Sequence, residues 1–147
     1  MKQGFRGYVT HHTFGGNKIP IPMQNLILRD YTQRNELLFK LSVNEYSIPN
    51  CYIQLNYLLT ALPTLEGIVM CSVFMMPQQS AKRREIYQNF LDQGSTLHLI
   101  FESTVIRTQE EVETIEEMLA IRDTLKVCPT RIPQELLPPL DQIEQFN

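Results

Sequence analysis

The feature that most constrains this chain is Gly67-Ile68-Val69-Met70-Cys71-Ser72-Val73-Phe74, a run of small and apolar residues with a single hydroxyl. A half-exposed strand alternates polar and apolar side chains. A run without alternation must be covered on both faces, as a central strand of a parallel sheet is. Parallel neighbours need crossover helices, and the flanking sequence supplies amphipathic segments of the right length. Phe5 to Thr10 reads as a short first strand, in which Gly7 is either a weak point or a place of close backbone approach. Met23, Leu26, Ile27 and Tyr31 fall at helical spacing and predict a first helix, packed on the sheet by that face and stopped near Asn35. Leu37 to Val43 predicts the second strand. Asn50 is placed to cap a second helix carrying Cys51, Leu55, Leu58, Leu59 and Leu62, which Pro63 ends.

Beyond the apolar run, Pro77 and Gln78 open a third helix reaching about Gln93, with Ile86, Phe90 and Leu91 inward and Gly94 as its left-handed cap. Thr96 to Phe101 predicts a fourth strand ending in Glu102. Thr108 and Glu111 have capping-box spacing for a fourth helix with Val112, Ile115, Leu119 and Arg122 on one stripe. The expectation is a three-layer, flavodoxin-like α/β domain. Its mainly parallel four-stranded sheet would run in the order 2-1-3-4, with helices on both faces. The domain would span residues 1–125, and 126–147 would be a tail rich in proline (Pro129, Pro133, Pro138, Pro139), packed on the body or on a neighbouring subunit.

Composition narrows the function classes. Of 147 residues, 43% are hydrophobic and 20% charged, the balance of an ordinary globular domain. A formal net charge of -3 opposes a general nucleic-acid binder, which needs a basic face. Lys82-Arg83-Arg84, the longest basic run, reads as the wet side of a helix. Cys51, Cys71 and Cys128 have no CxxC spacing, so neither a disulfide framework nor a zinc ribbon is expected. No run approaches the ~20 apolar residues of a membrane span. Met1 to Tyr8 lacks a signal-peptide core, which places the chain in the cytoplasm as an expectation.

In the order 2-1-3-4 the topological switch lies between strands one and three, where open α/β sheets hold their ligands. Strand ends there gather the turn His11 to Lys18, Glu45 and Tyr46, Ser72 to Met75, and Glu102. His11 and His12 are candidates for a general base, or for one metal ligand, near neutral pH, or a solvated loop pair. Neighbours in an extended loop point apart, so the two are not expected to share one metal; no cofactor is expected. Gly15-Gly16-Asn17-Lys18 could meet a phosphate through backbone N–H groups, with Lys18 as counter-charge, although it matches no Walker or GxGxxG pattern. Gln24 and Asn25 could bond a sugar hydroxyl or face water. Arg29 beside Asp30 reads as a surface pair or a ligand contact. Glu45 and Glu102, on opposite flanks, would lie roughly 14 Å apart at ~4.8 Å per strand, too far to share a proton. Ser72 ends the central strand without the GxSxG context of a nucleophile.

Two family resemblances follow. Gly7-Tyr8-Val9-Thr10, the helix from Met23-Gln24-Asn25 to Tyr31, Asn44-Glu45-Tyr46, Leu65 to Met70 and the strand before Glu102 together resemble the catalytic domain of serine recombinases (resolvases). That family carries a Ser and an Arg just after the first strand, where this chain has Thr10-His11-His12-Thr13. The Asp and Arg residues after its third strand correspond here to Ser72 through Pro77. The resemblance implies the fold without the strand-exchange chemistry.

The second is to the small "sporadic carbohydrate cluster" proteins. It is carried by Arg6-Gly7-Tyr8, Phe14-Gly15-Gly16, Ile19-Pro20, Gln24-Asn25-Leu26, Arg29-Asp30-Tyr31, Glu45-Tyr46, Cys51-Tyr52, Leu65 to Val69, Phe74-Met75 and Leu97-His98. The chain departs from it at His11-His12, where members tend to have a Ser-Arg type pair. This resemblance implies a role in surface-glycan (lipopolysaccharide or O-antigen) synthesis. The partner would be a sugar phosphate or nucleotide sugar, or alternatively a glycan-assembly enzyme that the chain scaffolds as a homo-oligomer. The crevice over strands one and three would hold that ligand, with Arg6, Asn25 and Arg29 as binding contacts, His11, His12, Glu45 and Ser72 as the catalytic groups if the chain is an enzyme, and Gly15, Gly16, Asn17 and Lys18 near the phosphate. Nucleic acid and membrane insertion are not expected.

Overall fold

A computed structural model describes residues 2–127. Strand β1 (Phe5–Val9) leads through α1 (Ile21–Arg34) to β2 (Phe39–Asn44), and α2 (Ile53–Thr60) then returns the chain past β1 to β3 (Gly67–Met70). Both crossovers join parallel strands, yet one runs outward and the other back, so right-handed connections put α1 and α2 on opposite faces. α3 (Ser80–Gln93) continues in the second direction to β4 (Thr96–Leu99) and packs beside α2. The result is a three-layer α/β sandwich with sheet order β2-β1-β3-β4-β5.

The fifth strand is a correction. Thr104–Ile106 returns antiparallel on β4, after a tight turn in which the Ser103 N–H donates to Ile100 O and Ser103 takes φ +50°. Three residues are too short to show a period, so the four-strand expectation missed it. β4 accordingly stops at Leu99, and Glu102 belongs to the turn. The central run is also shorter as a strand than its composition suggests. It ends at Met70, and Val73–Met75 is a 3-10 turn.

The face of α1 is the second correction. Gln24, Leu28 and Thr32 are buried, whereas Met23 and Leu26 are at least half exposed. Leu28 lies against Gly7, where a Cβ would come within 2.6 Å of Leu28 Cδ1, so Gly7 marks a close helix–strand approach. α2 begins at Ile53, and Leu62 belongs to a following 3-10 turn. Its N-cap is Tyr52, not Asn50. Asn50 has φ +56°, and the Cys51 N–H donates to Ile48 O. With Pro49 fixed at negative φ, this is a type II turn, for which Asn in the third position is as suitable as it would have been for a cap. α3 starts at Ser80, later than expected, and Gly94 caps it at φ +65°.

α4 (Gln109–Val127) follows Thr108, whose hydroxyl bonds the Glu111 carboxylate. The chain divides after Glu116 into two compact units. In the first, Val112 and Ile115 are buried, and Glu116 receives Arg83 Nε at 3.0 Å in an ion pair nearly closed to water. The basic run is therefore split: Arg83 is interior, and Arg84 pairs with Glu113 at the surface. The described part of the second unit is the rest of α4, with Asp123 and Lys126 3.5 Å apart. Cys128 and the proline-rich tail lie outside the described residues. Among those described, no helix is long and apolar enough to cross a membrane.

Candidate functional site

The loop after β1 is held by a side chain from the helix it feeds. Gln24 Oε1 accepts the Thr10 N–H at 3.1 Å, and Gln24 Nε2 donates to Thr10 O and Ile19 O, each at 2.7 Å. Fully buried, it pins both ends of the loop. Between them Phe14 and Asn17 exchange two backbone hydrogen bonds of 2.9 Å, closing a two-residue turn at Gly15 and Gly16 (φ +58° and +79°). Two positive φ angles in succession define a type I′ turn, which glycine fills without strain. Gly15 sits against the Phe74 ring, and the Phe14 and Phe101 rings are 6.4 Å apart.

The next wall is the segment from β2 to α2. Glu45 is buried and saturated: Oε1 accepts from the N–H groups of Tyr46 (3.3 Å) and Gln54 (3.1 Å) and from the Cys51 thiol (3.5 Å). Oε2 accepts from the Leu55 N–H (3.0 Å) and the Tyr8 hydroxyl (2.9 Å). Gln54 and Leu55 are the second and third residues of α2, so Glu45 caps this helix from a distance and meets its positive dipole end. Tyr8's hydroxyl is held well above its usual range by burial and by the Glu45 charge. His12 ties the two loops together. Its Nε2 lies 3.1 Å from Tyr46 O, and a carbonyl only accepts, so Nε2 is the donor in this bond and Nδ1 is the nitrogen turned away from it. His11 is exposed, with Nε2 3.3 Å from the Asn44 amide.

The third wall is the end of β3. The Ser72 hydroxyl donates to Glu102 Oε1 at 2.7 Å and accepts from the Phe74 N–H at 3.2 Å, and Glu102 Oε1 also takes the Val73 N–H at 2.6 Å. Ser72 and Glu102 thus cap the 3-10 turn. Burial, and then the Glu102 charge, push the Cys71 thiol up to about 12. Arg83, braced by Glu116, donates to Pro77 O and Gln78 O and anchors the start of α3.

These walls enclose a cleft of about 260 Å³ over the ends of β1 and β3, at the switch point. Tyr8, Thr10, His12, Thr13 and Phe14 line one side, Pro49 to Tyr52 another, and Phe74 to Met76 with Gln78 the third. Of the residues singled out from sequence, His12 lines the cleft, and Glu45 lies beneath it, bonded to the lining Tyr8 and Cys51. Gly15 adjoins it through Phe74; Gly16, Asn17 and Lys18 are exposed on the same loop. Ser72 faces Glu102. Arg6 is mid-strand beside Ile68, Asn25 is half-buried, and Arg29 is exposed on α1; none of these lines the cleft. Asp30 pairs with Arg34, not Arg29. The segments His11 to Lys18 and Ser72 to Met75, gathered here from sequence, contribute Thr13, Phe14, Phe74 and Met75 to the lining as well; sequence reasoning missed Tyr8, Thr10, Cys51, Tyr52 and the Gln24 clamp. For Gln24 a signal existed, since it stands four residues before Leu28 and eight before Thr32.

Fold and cleft define an open, mostly parallel α/β domain with a concave site at its topological switch point. The layout is that of resolvases. Two solved structures share it at 10% identity: the N-terminal catalytic domain of TP901-1 integrase (TM-score 0.62, 83% of this chain and 96% of that one) and a resolvase family site-specific recombinase from Streptococcus pneumoniae (TM-score 0.58, 84% and 91%). At that identity the likeness is one of fold. No family model and no characterised protein matches the sequence.

Proposed function

We propose that the protein binds an activated or phosphorylated sugar in this cleft and serves surface-glycan assembly. The observation that carries the reading is the lining itself. Hydroxyl and amide groups of Thr10, Thr13, Asn50, Tyr52 and Gln78 alternate with the rings of Phe14 and Phe74, and no lining residue is Lys, Arg, Asp or Glu. Neutral hydrogen-bonding groups interleaved with aromatic faces suit a sugar, which presents hydroxyls at its edge and C–H groups on its face. His12 Nδ1, the ring nitrogen not engaged with Tyr46 O, is the contact for a ligand hydroxyl. A phosphate would lie outside the neutral cleft, toward the Gly15-Gly16 turn and Lys18. The surface-glycan part of the reading comes from the resemblance of the sequence to carbohydrate-cluster proteins, for which no family model matches.

The test is a thermal-shift panel of sugar phosphates, nucleotide sugars and divalent metals. A ligand at ~100 times its dissociation constant stabilises by about 2.7 kcal/mol, a shift of several degrees for a chain of this size. Tyr52→Ala and His12→Ala are expected to reduce the shift and Lys18→Ala to reduce it for phosphorylated ligands only. A panel without a single hit sinks the reading.

A further inference from the structure

The three walls of the cleft differ in what they offer a ligand. Along the third, the 3-10 turn after β3 engages its own backbone donors. The Phe74 N–H donates to Ser72 Oγ at 3.2 Å, the Met75 N–H to Ser72 O at 3.1 Å and the Met76 N–H to Val73 O at 3.0 Å. What this wall shows the cleft is therefore the Phe74 ring and two methionine side chains and then, two residues beyond Met76, the amide of Gln78. Met75 and Met76 are only 4% and 2% exposed, so the apolar strip they leave open is small. On the second wall Cys51 is occupied in the same way, with its N–H on Ile48 O and its thiol on Glu45. Side-chain hydroxyls and an amide line the other two walls, on Thr10, Thr13, Tyr52 and Asn50.

Resting on the sugar reading, we propose that the cleft selects an N-acetylated amino sugar, carried as its phosphate or nucleotide derivative, whose acetamido group lies along the third wall. A plain hexose bears hydroxyls around its whole ring edge. A hydroxyl turned to Phe74, Met75 and Met76 would leave water and find no partner, which weakens binding. An acetamido group puts a methyl and an amide on one short substituent, and the third wall pairs the same two chemistries. The methyl meets the small strip from Phe74 to Met76, where polarisable thioethers pack well. The Gln78 side-chain amide, donor and acceptor at once, answers the substituent's N–H and C=O. A 6-deoxy sugar supplies a methyl alone and leaves that amide without a counterpart. The remaining ring hydroxyls face the hydroxyl-bearing walls and His12.

The experiment titrates the full-length protein by calorimetry with N-acetylglucosamine 1-phosphate against glucose 1-phosphate, and with N-acetylgalactosamine 1-phosphate against galactose 1-phosphate. One buried methyl is worth roughly fourfold and one further hydrogen bond about fivefold, so at least one acetamido sugar should bind about twentyfold tighter than its parent. Glucosamine 1-phosphate, which has the nitrogen without the acyl group, should show no such gain. Gln78→Ala alters an exposed side chain and keeps the backbone carbonyl that accepts from Arg83. It should cut the acetamido-to-parent ratio about fivefold with the far-UV spectrum unchanged. Acetamido sugars no tighter than their parents in both pairs overturn the proposal, as does a ratio that Gln78→Ala leaves intact. Fucose 1-phosphate binding tighter than both acetamido sugars reassigns the wall to a 6-deoxy methyl and overturns it too. Failure of every sugar phosphate and nucleotide sugar overturns the reading on which it rests, a different result from sugar phosphates bound without an acetamido preference.

Discussion

Gln24→Met isolates what the clamp on the β1–α1 loop contributes. The side chain is fully buried and makes three hydrogen bonds, to Thr10 N–H, Thr10 O and Ile19 O. Methionine nearly preserves the volume, so the cavity contribution seen in a truncation is small. What remains is three backbone groups that lose their partner. A typical hydrogen bond contributes about 1 kcal/mol net, and more where the orphaned group stays buried, so the expected loss is about 3 kcal/mol. Thr10 is buried, which puts two of the three groups in the costly class. The corresponding fall in melting temperature is roughly 6–12 °C. Gln24→Glu keeps the acceptor for Thr10 N–H but aims a charge at two carbonyls, and should cost at least as much. Equilibrium urea unfolding of the three proteins measures the free energies. Amide exchange at Thr10 and at residues 11–18 reports whether the loop opens locally. A loss below 1 kcal/mol for Gln24→Met, with unchanged exchange at Thr10, would refute the claim that this side chain organises the site.

Other outcomes follow from the buried charges and thiols. His98 is held down to about 4, from a usual 6.5, by burial and then by the Arg107 charge, while Tyr31 and Thr96 bond its two ring nitrogens. A histidine with a depressed folded pKa contributes stability that is fully present above pH 6.5, where both states are neutral. That stability is lost as pH falls toward 4, because the unfolded chain takes the proton first. His98→Gln should flatten the dependence of the urea midpoint on pH between 7 and 4, and a slope identical to wild type rejects it. Glu116→Gln leaves the buried Arg83 guanidinium without its anion and should cost about 3–5 kcal/mol by urea unfolding, whereas an Arg83→Met, Glu116→Met pair should cost far less. Cys71, fully buried and with its thiol pushed up to about 12, should resist iodoacetamide at pH 8 in the native state and react only with urea, as read by mass spectrometry of its peptide.

Much of the fold was legible because burial leaves a local imprint. The unalternating run at Gly67 announced a strand covered on both faces, and β3 pairs in parallel with β1 and β4. The order of the first four strands, and with it the place of the cleft, followed from handedness. Legibility failed where one pattern fits two structures. Leu26, Ile27 and Tyr31 have the spacing of an inward stripe, yet the sheet takes Gln24, Leu28 and Thr32, because only that rotation lets Gln24 reach Thr10 and Ile19. Asn50 suits a cap and a left-handed turn equally, and Pro49 decided for the turn.

The polar residues at the strand ends divide the two kinds of information most sharply. The sequence by itself determined that Glu45, Ser72 and Glu102 would stand at the sheet edge that bears the cleft, since each follows a strand-forming stretch. Only the tertiary structure decided what they do there: Glu45 caps α2 and holds Tyr8, and Ser72 with Glu102 closes the turn after β3. The reason is range. Periodicity and turn chemistry are properties of a few neighbouring residues, whereas Tyr8 meets Glu45 across 37 positions and Ser72 meets Glu102 across 30. Whether a buried carboxylate is free for chemistry or satisfied by donors depends on which distant groups the packing delivers to it.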